Sequence, residues 1–445
     1  MDDYGELCRH LFLDFMPMKS FSQAPVVFER GEGVRLFDVE GKAYYDGLSG
    51  IFVVNLGHGN PKVIRAIQEQ AERLTFNPPT VGTSEPALRL GRLLAEITPG
   101  DLTGVKLLNS GSEATESAMK MARQYFQITG KPNKRKIISR YRAWHGSTFA
   151  ALSASGTAES KAVFEPLMPD FVHVLPPNCY RCPFDQRYPG CSLTCARVVE
   201  RTIVAEGPET VAALIMDPIM VTAGVLVPPA EYFHILRAAC DKYDVIMIFD
   251  EVITGFGRTG RLFACELFDV QPDMLCAAKG ITSGYAPLSA AIASEKITRA
   301  FYDQDVAFKH GHTFGGNPLS AAAALANVTE IVEGRLWENA AHTGAHLKQR
   351  MQALYRHPIV GDVRGEGLLI GVEFVRDQQT RQPFADEENI GGQVQREARR
   401  RGLLLRASPW FIAIGPPLIT TIEEADAMYE ILDAAIGVVA ETLRA

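Results

Sequence analysis

The sequence has no run of 18 apolar residues, so it holds no candidate membrane span. Basic residues are not in excess: 45 Lys and Arg stand against 52 Asp and Glu, a net charge of −7. That balance gives no reason to expect a nucleic-acid partner or an anionic membrane surface. The first residues, "MDDYGELCRHLFLDF", begin acidic and carry charges among the apolar side chains, so they do not read as a secretory signal. Cysteine is sparse, eight in 445 residues. With no export signal, a disulfide framework is not expected and a cytoplasmic setting is. No repeat of 20–50 residues and no low-complexity tract occurs. What remains is ordinary for a globular protein: 47% hydrophobic and 22% charged residues, in a chain long enough for two domains.

Short apolar, β-branched-rich runs begin at Val105, Lys136, Val211 and Asp244, and they read as strands buried on both faces. Helical patterns lie between them, for example Glu113 to Phe126 and Pro229 to Lys242. Strands alternating with helices imply a mainly parallel α/β sheet. Beyond Pro318 the character changes. One long helical stretch is predicted from Leu319 towards Tyr355, and "IVGDVRGEGLLIGVEF" reads as strand, Gly-rich turn, strand. The last segment is an amphipathic helix with a capping box at Thr421 and Glu424. The expected layout is a large α/β domain over 53–320, a smaller α+β domain over 321–445, and a segment 1–52 that joins the smaller domain.

The chemistry starts with Lys279, a lysine between the apolar run "DMLCAA" and a glycine. Burying an ammonium is costly, so such an amine tends to lose its proton or form a bond. Asp250 ends the strongest strand candidate, "VIMIF", and precedes the Gly-rich "EVITGFGRTG". In open α/β sheets, ligands sit at the carboxyl ends of strands. A third element, "NSGSEATESAMKMARQY", opens a helix at Gly111 and Ser112, with a capping box expected at Ser110 and Glu113. A helix start of that kind offers free N–H groups to a phosphate. A Schiff-base lysine, an acid for a pyridine nitrogen and a phosphate cradle together describe a pyridoxal-phosphate site.

The sequence also resembles the class III, ω-type aminotransferases, from "GEGVRLFDVEGKAYYDGLSG" to "RASPWFIAIGPPL". The most specific stretch is "YDVIMIFDEVITGFGRTGRLFACELFDVQPDMLCAAKG", Tyr243 to Gly280. The resemblance implies fold type I, with a seven-stranded, mainly parallel sheet and a small split domain, in a homodimer or a tetramer of two dimers. It implies that Lys279 forms the Schiff base and later shuttles a proton. It implies further that Asp250 pairs with the pyridine nitrogen and that Val252 presses on one ring face. Trp144 stands where the family usually has a stacking tyrosine, while His145 and Gly146 keep the family pattern. Gly111 and Ser112 match the phosphate loop, and Thr313 matches the residue that reaches the partner's phosphate. Asp217 replaces the family's glutamate, a methylene shorter; Met220 replaces a glutamine, and Ile253 matches the ω-amine subgroup. Arg406 matches the carboxylate-binding arginine, and Phe52, Met18 and Trp144 suggest an apolar substrate pocket.

One feature lies outside this chemistry. Cys179, Cys182, Cys191 and Cys195 are spaced C-x2-C-x8-C-x3-C, inside an expected insertion at 178–196. In a cytoplasmic chain this reads as ligation of zinc or an iron–sulfur cluster, against free thiols or disulfides. The expected function is transfer of an amino group from a primary amine or ω-amino acid to a keto acid, pyruvate first, by a ping-pong mechanism. The rivals are an amine lyase, decarboxylase or mutase on the same fold, and a metal or redox sensor built on the cysteines. Intact Lys279, Asp250 and Arg406 speak against the sensor.

Overall fold

A computed structural model describes residues 4–444; the first three residues of the 1–52 segment and Ala445 lie outside it. Three antiparallel strands come first: β1 (Phe28–Glu32), β2 (Arg35–Asp38) and β3 (Ala43–Asp46). The large sheet follows, with β4 (Leu102–Leu108), β5 (Lys136–Arg140), β6 (Phe171–Val174), β7 (Val211–Met216), β8 (Ile246–Asp250), β9 (Met274–Ala277) and β10 (Ser289–Ser294). Its order is β4-β10-β9-β8-β7-β5-β6. Strands β5 to β9 run parallel, and β10 is antiparallel to both its neighbours. Every residue of β7 and of β8 is buried, which is why these strands are unbroken apolar runs rather than alternating ones. Each fully buried Ile, Leu or Phe in them adds roughly 1.5–3 kcal/mol.

The helix Gly111–Ile128 buries Ala114, Ala118, Met121, Ala122 and Tyr125, the stripe that its spacing predicts. Its start differs from the expected capping box. Ser110 Oγ accepts from the Glu113 N–H at 3.2 Å, but the Glu113 carboxylate reaches past Ser110 to Asn109, taking its backbone N–H at 2.8 Å and its Nδ2 at 2.9 Å. The expected helix from Leu319 to Tyr355 is two helices, Pro318–Glu333 and Leu336–Met351. The break is at Gly334 and Arg335, where Arg335 turns left-handed at φ 46° and redirects the chain.

The C-terminal part holds β11 (Val360–Gly365), β12 (Ile370–Phe374), β13 (Leu403–Leu404), β14 (Arg406–Ser408) and β15 (Phe411–Ile414). β11 and β12 form the hairpin read from the sequence, and the sheet order is β11-β12-β15-β14. β13 pairs in parallel with β3, so the N-terminal strands share a sheet with residues 403–404. The final helix, Ile422–Thr442, starts with a complete capping box between Thr421 and Glu424. Among the described residues no helix is long and apolar enough to cross a membrane.

Candidate active site

Four neighbouring parallel strands end at one cavity. His145 follows β5, Asp217 follows β7, Asp250 closes β8, and Lys279 comes two residues after β9. All four side chains line the cavity, which has a volume of about 430 Å³. This is the carboxyl edge of the sheet, where loops leave the strands and free polar groups converge.

Lys279 sits in the left-handed region at φ 50°. A non-glycine residue held there costs about 1–3 kcal/mol and persists only where its surroundings impose it. Burial pulls its amine down to about 8; Asp250 works against that shift, and the Arg406 and Arg258 cations add to it. Asp250 Oδ2 is 2.8 Å from His145 Nδ1, and Oδ1 accepts the Val252 N–H at 3.1 Å. Asp217 Oδ1 lies 3.3 Å from the same His145 nitrogen. Burial works against protonation of His145, but Asp217 and Asp250 outweigh it and raise its pKa. Asp217 rises to about 6, driven by burial and by the charge of Asp250, while His145 and Arg140 oppose the rise. These three donors lie within 4.8 Å of one another, the one such set among the described residues. The His145–Asp250 hydrogen bond and the Arg140 cation beneath suit a shared proton better than a metal ion.

Glycine allows the rest of the cavity wall to close. A Cβ on Gly111 would stand 2.9 Å from Val252 Cγ1. One on Gly146, at φ 138°, would stand 2.5 Å from Ser112 Oγ. The start of the helix Gly111–Ile128 therefore meets the loop after β5 directly, and Ser112 Oγ accepts the Ser147 N–H at 3.0 Å. The first amides of this helix have no intrahelical acceptor and form a positive end at the cavity. Trp144 and Val252 supply apolar wall, and the Trp144 ring meets Phe15 edge-on at 5.8 Å.

Other expected residues lie farther out. Phe52 is buried in the core against Gly415, and its neighbour Val53 lines the cavity instead. Met18 is half-buried on the short helix Met18–Gln23. Thr313 is exposed on the turn before the helix Pro318–Glu333 and does not line this chain's own cavity. Arg406 opens β14, half-buried, with no acidic partner among the described residues, yet near enough to disfavour a charge on Lys279. Asn178 through Ala196 carry the cysteines; Cys179 is exposed, Cys182 and Cys191 are half-buried and Cys195 is buried, all as free thiols.

Sequence reading missed Arg140. It ends β5, fully buried, and its Nη2 donates to the Asp217 carbonyl oxygen, while Nε and Nη1 have no partner. The signal was available: a charged residue closing the buried run "KIISR". Ile219, Val221 and Thr222, which also line the cavity, carried no such signal.

Comparison with known proteins agrees across nearly the whole chain. The sequence model of the aminotransferase class-III family matches residues 18–436. A probable aminotransferase of Mycobacterium tuberculosis is 41% identical over 433 residues, covering 96% of this chain and 93% of that protein. An (S)-enantioselective ω-transaminase from Thermomicrobium roseum has a TM-score of 0.95 and 39% identity, over 98% of both chains. The ω-transaminase of Pseudomonas jessenii, solved with PMP, has a TM-score of 0.94 and 32% identity, over 99% of both chains.

Proposed function

The chain belongs to the class III aminotransferase family, and on that footing we propose how its residues carry out amino-group transfer and on what. It is an aminotransferase of fold type I that uses pyridoxal phosphate. The single observation that carries the site assignment is the convergence of Lys279, Asp250 and the Gly111 helix start on one cavity.

The residues present fit the cofactor. The helix start at Gly111 and Ser112 and the carboxylate of Asp250 line the same cavity, so a phosphate and a pyridine nitrogen would each find a partner there. When bound, pyridoxal phosphate supplies an electron sink for charge that develops on the substrate's carbon. Lys279 would be the residue that holds its carbonyl carbon, and burial, by lowering the amine to about 8, raises the share of the nucleophilic neutral form near neutrality far above that of an ordinary lysine. Its Nζ would also be the group placed to take a proton from the substrate carbon and return it. Asp250 would hold the proton of the pyridine nitrogen; one of its oxygens is fixed by the Val252 amide and the other by His145. Asp217 and His145 keep charge at that end of the cavity, with Arg140 beneath them. Trp144 and Val252, which line the cavity, would confine the ring, and Gly111 and Ser112 would hold the phosphate. Thr313 faces outward in one chain, which suits a homodimer, or a tetramer of two dimers, in which it completes the partner's phosphate site.

The donor is a primary amine or ω-amino acid and the acceptor a keto acid, pyruvate first. Arg406, a partnerless guanidinium beside Lys279, suits the acceptor's carboxylate. The apolar wall of Trp144, Val53 and Ile253 suits the donor's chain. The setting proposed is cytoplasmic. A panel of amine donors against pyruvate and 2-oxoglutarate tests this reading. Ping-pong kinetics with alanine formed from pyruvate are expected. Ammonia or carbon dioxide released with no keto acid present would instead point to a lyase or decarboxylase.

A further inference from the structure

The 19 residues between Val174 and Thr194 contain no helix and no strand. Yet they tie the molecule together. Arg181 Nε donates to the buried Glu373 of β12, Arg381 Nη1 donates to the Tyr180 carbonyl at 2.6 Å, and Glu373 also holds Arg364 at 2.7 Å. On the other side, the Tyr188 hydroxyl donates to Glu231 at 3.0 Å. The loop is therefore a strap from the large sheet to the β11–β12 hairpin, with little apolar core of its own beyond Phe184 and Leu193.

All four clustered cysteines, Cys179, Cys182, Cys191 and Cys195, line one small cavity of about 20 Å³ under this strap. A single water needs roughly 10–15 Å³ by the same measure, so the space takes one ion and not a four-iron cube. Turns bend the chain beside the pairs: Asp185 N–H donates to the Cys182 carbonyl at 3.1 Å, and Thr194 N–H to the Cys191 carbonyl at 3.3 Å. Spacings of two and three residues within the pairs are those of zinc sites built from four cysteines.

We propose that these four thiolates bind one zinc ion, a structural site that pins the strap between the two parts of the chain. No three of the sulfurs stand within 4.8 Å of one another, whereas sulfurs around tetrahedral zinc are about 3.8 Å apart. Ion binding therefore draws the strap inward, and the binding energy appears as local folding.

The test uses untagged, cofactor-loaded enzyme from zinc-supplemented cells, dialysed against metal-free buffer. Elemental analysis should find about one zinc per chain and no iron, and a mercurial titration should release it. Cys182→Ser and Cys191→Ser should each lose the zinc and melt at lower temperature, yet keep the cofactor's colour. Should those variants fail to fold, cobalt substitution of the unaltered protein decides, through the charge-transfer absorption of a tetrahedral thiolate site. Absence of zinc with four reactive thiols, iron with sulfide, or disulfide bridges among the four in non-reduced peptides would each overturn the proposal.

Discussion

The loops after β6 and after β8 and β9 leave the same edge of the same parallel sheet, and they meet opposite fates. The central strands hand Asp250 and Lys279 to the cavity directly, within two residues of the last ladder pair, so burial and backbone hydrogen bonds fix both groups. The edge strand β6 hands over to 19 residues with no regular structure, whose chemically potent side chains are near one another but not closed. A group held on a strand end is preorganised by the sheet; a group on a long loop needs something else to organise it.

The comparison is broken most severely at Lys279. Lys279→Ala should cut turnover by about 10⁴-fold, since both the covalent attachment and the proton carrier go. Cofactor should still bind through the helix start and Asp250, measured by fluorescence titration. Near-normal turnover would remove Lys279 from the chemistry.

Asp250→Asn keeps the shape and removes the charge. The loss in the chemical step should be about 4 kcal/mol, on the scale of other misplaced protonation states. Single-turnover kinetics separate it from binding, and an unchanged rate would mean that Asp250 is not the pyridine partner.

Arg406→Ala should lower kcat/KM for the keto acid by about 3 kcal/mol, as for a desolvated charge pair losing one partner. An amine with no carboxylate should be unaffected; equal losses would make the arginine structural. The same variant sharpens the electrostatics. Capture of cofactor by the apoenzyme needs neutral Nζ, so its rate should climb about tenfold per pH unit and level off above about 8. Arg406 disfavours the Lys279 charge, so removing it should raise that plateau point, read by stopped-flow absorbance across pH.

The smallest kinetic effect is expected at the loop. Cys182→Ser should change kcat/KM by less than about twofold, since the strap holds the domains and touches no reacting atom. A large loss of activity with cofactor still bound would show that the two loops are coupled and that the contrast drawn between them fails.

Much of this was legible from residue order because it rests on local rules. Unbroken apolar runs mark strands buried on both faces, and the helix stripe Ala114–Ala118–Met121–Ala122–Tyr125 follows from 3.6 residues per turn. Thr421 and Glu424 satisfy each other across three residues, so their capping box was readable, whereas Glu113 had Asn109 within equal reach and took it. The long helix was misread because apolar periodicity runs across Gly334 while the backbone does not. At the site, Lys279 and Asp250 announced themselves as charges set in apolar runs. Sequence alone thus determined which chemistry-bearing groups the chain carries and that they sit at strand ends. Only the tertiary structure decided which of them meet. Strand order puts His145, Asp217, Asp250 and Lys279 side by side, although 134 positions separate the first from the last. It also sends Phe52 into the core, turns Thr313 outward and lays Arg140 under Asp217. Those outcomes depend on pairing between distant strands and on how burial is shared among them, and no local pattern of residues encodes either.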